Sequence, residues 1–411
     1  MPGPPRRFTA HPAVLVSALT AVVGLSALLL TQWPAAAPPV AGRVSAPSES
    51  QPAADSESTR QGRWQPSRHA LKVVEDHWVR LPSGPADGRV FSIELWTGRE
   101  YLIWGGEKPS EVTFHDSGAA YEPATGRWRR LADGPLGPRS EHVAVWSGEE
   151  VLVCCGRVES GLAGAAAYDP ASDTWRRIAD PPVDAVEFLT AVWTGRQMLV
   201  TGGVLQGGSR ASHETVAYDP ATDRWSVLAP APTVIERQGQ AVWTGDRMLV
   251  LTSGLSGGAL LSYDPVTNTW LRLPAVPDRL KSELGSLVWT GSEAIVWGVD
   301  ISDDGNAIGA RFDPDDNRWR PMADDPLPRF NWFEGTPGSQ AAVWTGREML
   351  VWAGALSGGN AATTAVLGYE PSRDRWRSLP RAPLTAYQPE MMATGDMLLV
   401  GTAPLLAVDP G

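Results

Sequence analysis

Short apolar runs recur along the chain from Trp96 onward, and turn residues close each of them. The run Met198 to Thr201, for example, follows Thr194-Gly195 and precedes Gly202-Gly203. Apolar runs of about four to eight residues between glycine and proline turns are typical of β-strands. Outside the N-terminal region the chain has no long segment with a helical period, so the pattern predicts an all-β fold.

These runs belong to a unit that the chain repeats seven times. Its first half is Trp-Thr-Gly followed by an apolar run, and its second half is Tyr-Asp-Pro, four further residues and Trp. The first halves begin at Trp96, Trp146, Trp193, Trp243, Trp289, Trp344 and, in degraded form, Ala393. The aromatic pairs of the second halves are Tyr121/Trp128, Tyr168/Trp175, Tyr218/Trp225, Tyr263/Trp270, Phe312/Trp319 and Tyr369/Trp376. A period of about 50 residues indicates a radial β repeat.

Each unit predicts one four-stranded blade. In the unit around Trp193 the first strand ends at that tryptophan, and Met198 to Thr201 forms the second. Val216 to Tyr218 is the third strand, and Trp225 opens the fourth. Blades pack on both faces, which explains why the second strand is apolar on both sides. The aromatic pair of strands three and four is expected to fill the gap between blades.

The two ends of the chain complement each other. The last unit supplies three strands and stops at Gly411, whereas Trp78 to Pro82 resembles the fourth strand Trp270 to Pro274 without the rest of its blade. Pairing the N-terminal strand with the last unit removes an exposed sheet edge. The sequence therefore predicts a ring of seven blades, the last one closed by the N-terminal strand.

Each unit resembles a kelch repeat over roughly residues 78–411. The unit that fits most closely contains Arg139, Ser140, His142, Cys155-Gly156, Tyr168-Asp169-Pro170 and Trp175. The resemblance implies a seven-bladed kelch-type β-propeller of the galactose oxidase-like superfamily. It implies little about function, because one fold hosts unrelated activities.

The copper oxidases of that superfamily use two tyrosines, a cysteine crosslink and two histidines late in the propeller. This chain has no histidine after His213. Copper oxidase activity is therefore not expected, and the sequence points to no cofactor.

The N-terminal region divides into two segments. Ala13 to Leu30 is an apolar run preceded by Arg6 and Arg7, and it is expected to form a membrane anchor within residues 1–33. A cleaved secretory signal, and hence a secreted protein, is the alternative. Residues 34–70 are rich in Pro, Ala and Ser and are expected to form a disordered stalk. The propeller would then occupy residues 71–411 on the extracytoplasmic side of the cell membrane.

Charge and cysteine content narrow the possible functions. The formal net charge of −11 gives no basic stripe for phosphates, so nucleic acid is not an expected partner. The only cysteines are the neighbours Cys154 and Cys155, which cannot form a disulfide framework or a tetrahedral zinc site. In an oxidising compartment they could form a vicinal disulfide; otherwise they are two buried thiols.

The loops between strands two and three and between blades share one face, and they vary in sequence. We expect the ligand on this variable face. The aromatic loop Arg329, Trp332 and Phe333 is suited to a sugar or a protein hot spot, or it plugs the channel. A second group of mixed charge is placed around the mouth of the channel. It is either a polar ligand site or solvated charge together with the family's structural arginine: Arg89, Arg139, Glu187, Arg237, Glu283 and Tyr387.

One acidic segment resembles the start of a calcium loop. Asp300, Ser302 and Asp304 place oxygen atoms at alternate positions, and Gly305 stands sixth. The twelfth position is Arg311 rather than glutamate, so an acidic hairpin without metal is the other interpretation.

Two functions follow as expectations. The first is a membrane-tethered, non-catalytic propeller that binds a protein or a cell-envelope glycan. The alternative is a carbohydrate-active enzyme of epimerase or lyase type, in which Glu187 and Glu283 serve as acid and base in the funnel. No paired catalytic constellation appears in the sequence, which favours the binding module.

Overall fold

A computed structural model of the protein describes most of the repeat region. The described residues are 78–86, 89–108, 113–159, 164–205, 210–235, 239–252, 258–280, 285–299, 307–324, 326, 335–357, 364–380, 390–394, 397–401 and 406–408. The predicted anchor Ala13 to Leu30 and the predicted stalk lie outside them. Within the described part of the chain, no helix has the length and apolar character needed to cross a membrane.

The repeats form seven four-stranded antiparallel sheets, which we call blades 1 to 7 in chain order. Blade 1 consists of the strands Ile93–Trp96, Tyr101–Trp104, Gly118–Glu122 and Arg127–Arg130. Blade 2 consists of Val143–Trp146, Val151–Cys154, Ala165–Asp169 and Thr174–Ile178. Blade 3 consists of Ala185–Trp193, Met198–Leu205, Thr215–Asp219 and Arg224–Val227. Blades 4 and 5 are Gln240–Trp243, Met248–Thr252, Ala259–Asp264 and Thr269–Arg272; Ser286–Trp289, Ala294–Val299, Ala307–Asp313 and Arg318–Pro321. Blades 6 and 7 are Gly335–Trp344, Met349–Ser357, Thr364–Glu370 and Arg375–Ser378; Glu390–Ala393, Leu398–Gly401, Leu406–Val408 and Val79–Arg80.

The blades form a closed ring. The first strand of each blade lies beside the first strands of its two neighbours, and blade 7 contacts blade 1. The first strands therefore line the central channel, and the fourth strands form the outer edge. Val79 pairs with Ala407 and Arg80 with Leu406, which confirms that the N-terminal strand completes the last blade.

Three short elements decorate the ring. Glu107–Lys108 pairs with Thr113–Phe114 beyond the second strand of blade 1, and Arg139–Ser140 pairs with Arg157–Val158 in blade 2. A bridge between His115 and Arg139 joins these two hairpins across the blades. A 3₁₀ helix, Asp278–Leu280, lies between blades 4 and 5.

The core lies between neighbouring blades. Leu152 and Ala167 of blade 2 pack with Met198 and Tyr218 of blade 3, and all four side chains are buried. Both faces of the middle strands are covered in this way, as the continuous apolar runs predicted. Trp104, Trp297 and Trp352 occupy one equivalent position and are fully buried.

The paired aromatics of strands three and four join each blade to the one before it, as the sequence predicted. Tyr218 packs at 5.1 Å from Trp225, and the Trp225 indole N–H donates to the carbonyl oxygen of Ala179 in blade 2 at 2.7 Å. The same bond recurs in every blade: Trp128 to Pro82, Trp175 to Ala132, Trp270 to Ala229, Trp319 to Pro274, Trp376 to Ala323 and Trp78 to Pro380.

A second contact strengthens four of these joints. Asp223 accepts hydrogen bonds from the Tyr218 hydroxyl at 2.8 Å and from the backbone N–H of Ala179 at 3.0 Å. Asp173, Asn268 and Asp374 make the equivalent contacts to Ala132, Ala229 and Ala323. In blades 1 and 5 the residue equivalent to Ala179 is a proline, which has no N–H to donate. The position equivalent to Asp223 is Gly126 in blade 1 and Asn317 in blade 5.

Candidate binding face

One face of the ring consists of uniform turns between strands one and two. Thr194 accepts a hydrogen bond from the N–H of Gln197 at 2.8 Å. The equivalent residues Thr97, Ser147, Thr244, Thr290, Thr345 and Thr394 each accept one from the residue three positions later. These hydroxyls satisfy backbone donors, so the turns serve the structure.

Ion pairs beside these turns also stabilise the blades and the contacts between them. The Arg129 guanidinium binds both carboxylate oxygens of Glu100, at 3.0 and 2.7 Å, and reaches the Tyr168 hydroxyl of the next blade at 2.9 Å. Pairs at the same positions join Arg176 to Glu150 and Arg377 to Glu348. The repeated polar groups of this face bind one another, which leaves the opposite face as the candidate ligand surface.

On the variable face, three blades hold a non-glycine residue in the left-handed region at the same register. Phe91, Glu141 and Phe188 have φ of 55°, 57° and 56°, and each stands five residues before the tryptophan that ends the first strand. Such a conformation costs about 1 to 2 kcal/mol for a residue with a Cβ atom and persists only where the surroundings impose it. The backbone N–H of Glu141 donates to the carbonyl of Phe91 at 3.1 Å, which fixes blade 2 against blade 1.

The outcome of this backbone geometry is an aromatic pair over the channel. Phe91 belongs to blade 1 and Phe188 to blade 3, yet their rings lie 6.3 Å apart, edge to face at 89°. Two blades separated by a third can meet only where their side chains lean inward over the mouth. Phe91 keeps 38% of its surface exposed. We call Phe91, Glu141 and Phe188 the mouth cluster.

Polar groups lie on the hairpins of blades 1 and 2, on the same face. The Ser140 hydroxyl donates to Glu107 at 3.3 Å. The Arg157 guanidinium lies 5.4 Å from the centre of the Phe114 ring, a cation–π contact. Glu107 is partly exposed and Arg157 is exposed, so they place an acidic and a basic group on the face that carries the aromatic pair, whereas Ser140 is buried.

Arg139, predicted at the mouth, is buried with 2% of its surface exposed. Its guanidinium donates to the carbonyls of Cys155 at 2.7 Å and Gly137 at 3.1 Å. Burial lowers the pKa of Arg139 to about 10. Arg89 makes equivalent contacts in blade 1, where its guanidinium donates hydrogen bonds to the backbone carbonyls of Gly105 and Ser117. The described contacts of Arg139 therefore hold backbone, and ligand contact by this residue stays a prediction.

Glu187, the third described residue of that predicted group after Arg139 and Arg89, lies in the first strand of blade 3, beside Phe188, and is buried with 5% of its surface exposed. The remaining predicted binding residues lie outside the described residues: Arg237, Glu283, Arg329, Trp332, Phe333 and Tyr387. The calcium candidates Asp300, Ser302 and Asp304 also lie outside them. In the part of the chain that is described, no three acidic, histidine or cysteine side chains converge as a metal site.

His142 lies beneath the mouth and packs edge-on against Trp104, with ring centres 5.1 Å apart. Neither imidazole nitrogen has a hydrogen-bond partner among the described residues. Burial, together with the nearby positive charge of Arg139, lowers the pKa of His142 to about 3. The imidazole is therefore neutral at physiological pH.

The mouth cluster is not among the binding residues that the sequence predicted. Its signal was present, because Phe91, Glu141 and Phe188 share one register before the repeat tryptophan. Bulky residues at equivalent positions of a repeat are ordinarily assigned to packing, and a sequence pattern does not show the left-handed backbone at these positions.

Comparison with known proteins gives a family match and matches to solved structures. Residues 92–283 match a family model described as the KLHDC2/KLHL20/DRC7 Kelch-repeats domain. The solved structure titled "Structure of YjhT" superposes with a TM-score of 0.52 at 14% sequence identity, covering 72% of this chain and 99% of that one. No curated protein is significantly similar to the chain in sequence.

Proposed function

From the kelch-type β-propeller that this chain carries, we infer that the protein is a non-catalytic binding module whose ligand contacts the variable face over the channel mouth. The observation that carries this inference is the meeting of Phe91 and Phe188 across blade 2. An exposed aromatic side chain held by a strained backbone is a ready anchor for a partner, since aromatic residues dominate binding hot spots.

A protein is the partner that the mouth cluster favours. The two phenyl rings meet edge to face, so they offer an apolar notch rather than the flat aromatic plane on which a sugar stacks. The polar groups with exposed surface on the neighbouring hairpins, Glu107 and Arg157, would lie beside an apolar side chain inserted into the notch. A cell-envelope glycan is the second candidate, supported by the sequence of the predicted loop Arg329, Trp332 and Phe333.

We also propose that Ala13 to Leu30 anchors the protein in the cell membrane and that the propeller faces the extracytoplasmic side. The length of the apolar run and the preceding arginines support this topology. The protein should fractionate with membranes and retain its native N-terminus. Recovery of a soluble form that begins near Ala37 or Gly42 would show a cleaved signal and a secreted protein instead.

The carbohydrate-active alternative has one supporting observation, the burial of the Glu187 side chain beside the mouth cluster. A carboxyl group beside a ligand-binding mouth is a candidate general acid or base. If the protein releases product from cell-envelope polysaccharide and Glu187→Gln abolishes the release while leaving the fold intact, the enzyme interpretation replaces the binding module.

Site-specific photo-crosslinking tests the binding proposal and requires no choice of ligand in advance. A benzophenone amino acid replaces Phe91 at the mouth and, as the matched control, Val266, which is 91% exposed at a turn of the opposite face. Irradiated cells should give a discrete adduct from position 91 and none from position 266. Mass spectrometry of that adduct separates a protein partner from a glycan. Equal labelling from both positions, or no adduct from position 91, would contradict a ligand at the mouth.

A further inference from the structure

Cys154 and Cys155 stand at a turn where the neighbouring blades have glycine. Cys154 ends the second strand of blade 2, and Cys155 follows with φ of 68°. Gly105 in blade 1 and Gly202 in blade 3 occupy the same position with φ of 72° and 76°. A residue with a Cβ atom adopts this left-handed conformation only at a cost, so the cysteine is an unexpected choice for the turn.

The left-handed backbone changes where the second thiol points. Consecutive side chains of a regular strand point to opposite faces, which would separate the two sulfurs. Here the Sγ atoms of Cys154 and Cys155 lie only 2.8 Å apart. Both are free thiols, and both residues are fully buried.

The surrounding structure holds the turn in this conformation. The carbonyl of Cys155 accepts the Arg139 guanidinium at 2.7 Å, and its N–H donates to the carbonyl of Gly164 at 3.1 Å. Gly156 follows with φ of 91°. The hydrogen bonds of the Cys155 backbone hold the two side chains close together. A disulfide would need the two sulfurs to approach only from 2.8 Å to about 2.05 Å, which the turn can accommodate without unfolding.

We propose that Cys154 and Cys155 form a vicinal disulfide, a covalent clamp at the corner from which the variable loop of blade 2 leaves its second strand. The oxidant is a disulfide, either a small molecule such as oxidised glutathione or an exported disulfide oxidoreductase. One cysteine thiolate attacks that disulfide and releases one thiol. The second cysteine then displaces the other thiol, so that two S–H bonds are lost, one S–S bond forms, and the oxidant takes up two electrons and two protons.

The burial of the pair sets when this reaction occurs. Burial raises the pKa of the Cys154 thiol well above its ordinary value, and a thiol rather than a thiolate is a poor nucleophile. The bond therefore forms during folding, before blade 3 covers the turn, and the folded ring then shields it from reductants. The clamp does not depend on the identity of the ligand.

Refolding in a glutathione redox buffer tests the proposal. The full chain is unfolded with reductant, refolded with oxidised and reduced glutathione, quenched in acid, and alkylated under denaturing conditions. The expected product is a protein without alkyl groups whose mass is lower by two hydrogen atoms than that of the reduced chain. Dithiothreitol should reduce it at least about tenfold more slowly in the folded state than in denaturant, because folding shields the bond.

The paired substitution Cys154→Thr with Cys155→Gly, which copies the residues of blade 3, is the matched control. The oxidised wild-type protein should melt at a higher temperature than the reduced protein, whereas the control should melt at the same temperature in both buffers. Two alkylated thiols, or two separate glutathione adducts, on correctly refolded protein would overturn the proposal. The crosslinking from position 91 is read separately, so failure of one proposal leaves the other standing.

Discussion

The indole N–H of Trp78 donates to the carbonyl oxygen of Pro380 at 2.7 Å, although the two residues are 302 positions apart. The same indole packs edge to face on Trp352 of blade 6, with ring centres 5.9 Å apart. These two contacts attach the N-terminal strand to blade 6 in the way that every other fourth strand attaches to its preceding blade. The ring therefore closes by the same joint that it uses everywhere else.

Replacement of Trp78 by alanine should open this joint. The substitution removes a large side chain from the interface of blades 6 and 7, and such truncations cost about 3 to 5 kcal/mol of unfolding free energy. Val79→Thr is the matched control, because Val79 lies in the same strand and is exposed. Denaturant unfolding of the two variants measures the difference. Equal stability of Trp78→Ala and Val79→Thr would show that the N-terminal strand is dispensable.

Two substitutions of Asp223, at the joint between blades 2 and 3, should show whether this side chain stabilises the joint as a hydrogen-bond acceptor or through its charge. Asp223→Ala removes the acceptor for the Tyr218 hydroxyl and for the Ala179 N–H, at an expected cost of about 1 to 3 kcal/mol. Asp223→Asn keeps an acceptor oxygen and should be nearly neutral, since Asn268 makes the same contacts in blade 4. If both variants lose the same stability in denaturant unfolding, the carboxylate charge rather than the hydrogen bonds supports the joint.

His142 should make the protein sensitive to acid at unusually mild pH. Its pKa is about 3 in the folded protein and about 6.5 in an unfolded chain. Between these values the unfolded state binds a proton that the folded state does not, so stability falls as pH falls through this window. The slope approaches about 1.4 kcal/mol per pH unit for a single group.

Unfolding free energies between pH 7 and pH 5 measure this effect, because the aspartates of the blade joints titrate at lower pH. His142→Leu should flatten the dependence. His213→Leu should keep it, since His213 is exposed. An unchanged slope in His142→Leu would assign the acid sensitivity to another group.

Substitutions at the mouth should weaken partner binding without lowering stability, whereas a substitution at a blade joint should lower stability. In Phe91→Ala the residue still has a Cβ atom in the left-handed conformation, and only the aromatic ring is removed. The variant should therefore bind the partner more weakly by about 2 kcal/mol, roughly thirtyfold, with little change in Tm. Trp332→Ala, in the predicted aromatic loop, should behave in the same way. Trp225→Ala should do the reverse and lower the unfolding free energy by about 3 to 5 kcal/mol.

Titration calorimetry with the crosslinked partner and thermal melting provide the two readouts. If Trp332→Ala unfolds the protein and leaves affinity intact, that loop is a plug over the channel. If Phe91→Ala leaves affinity unchanged, the aromatic pair only seals the mouth.

The β architecture, the blade unit and the closure of the ring were predictable from the amino-acid pattern alone. Each of these depends on local chemistry: the turn residues that follow Trp193, the apolar run of the second strand, and the tryptophan that opens the fourth. The end strand was recognisable because Trp78 to Pro82 resembles the strand Trp270 to Pro274. Patterns within about ten residues are enough to specify strands and turns, and repetition made them unambiguous.

The contacts between side chains of different blades were not predictable in this way. Phe91 and Phe188 lie in different repeats, and their contact depends on the curvature of the ring and on a left-handed backbone at both positions. The approach of Cys154 to Cys155 likewise depends on one φ angle that a strand pattern does not predict. The hydrogen bond from the Arg139 guanidinium to the carbonyl of Cys155, and the burial of this side chain, were likewise not predictable from the repeat pattern. A repeat encodes each blade locally, whereas the chemistry of the mouth arises from the packing of blades that are distant in sequence.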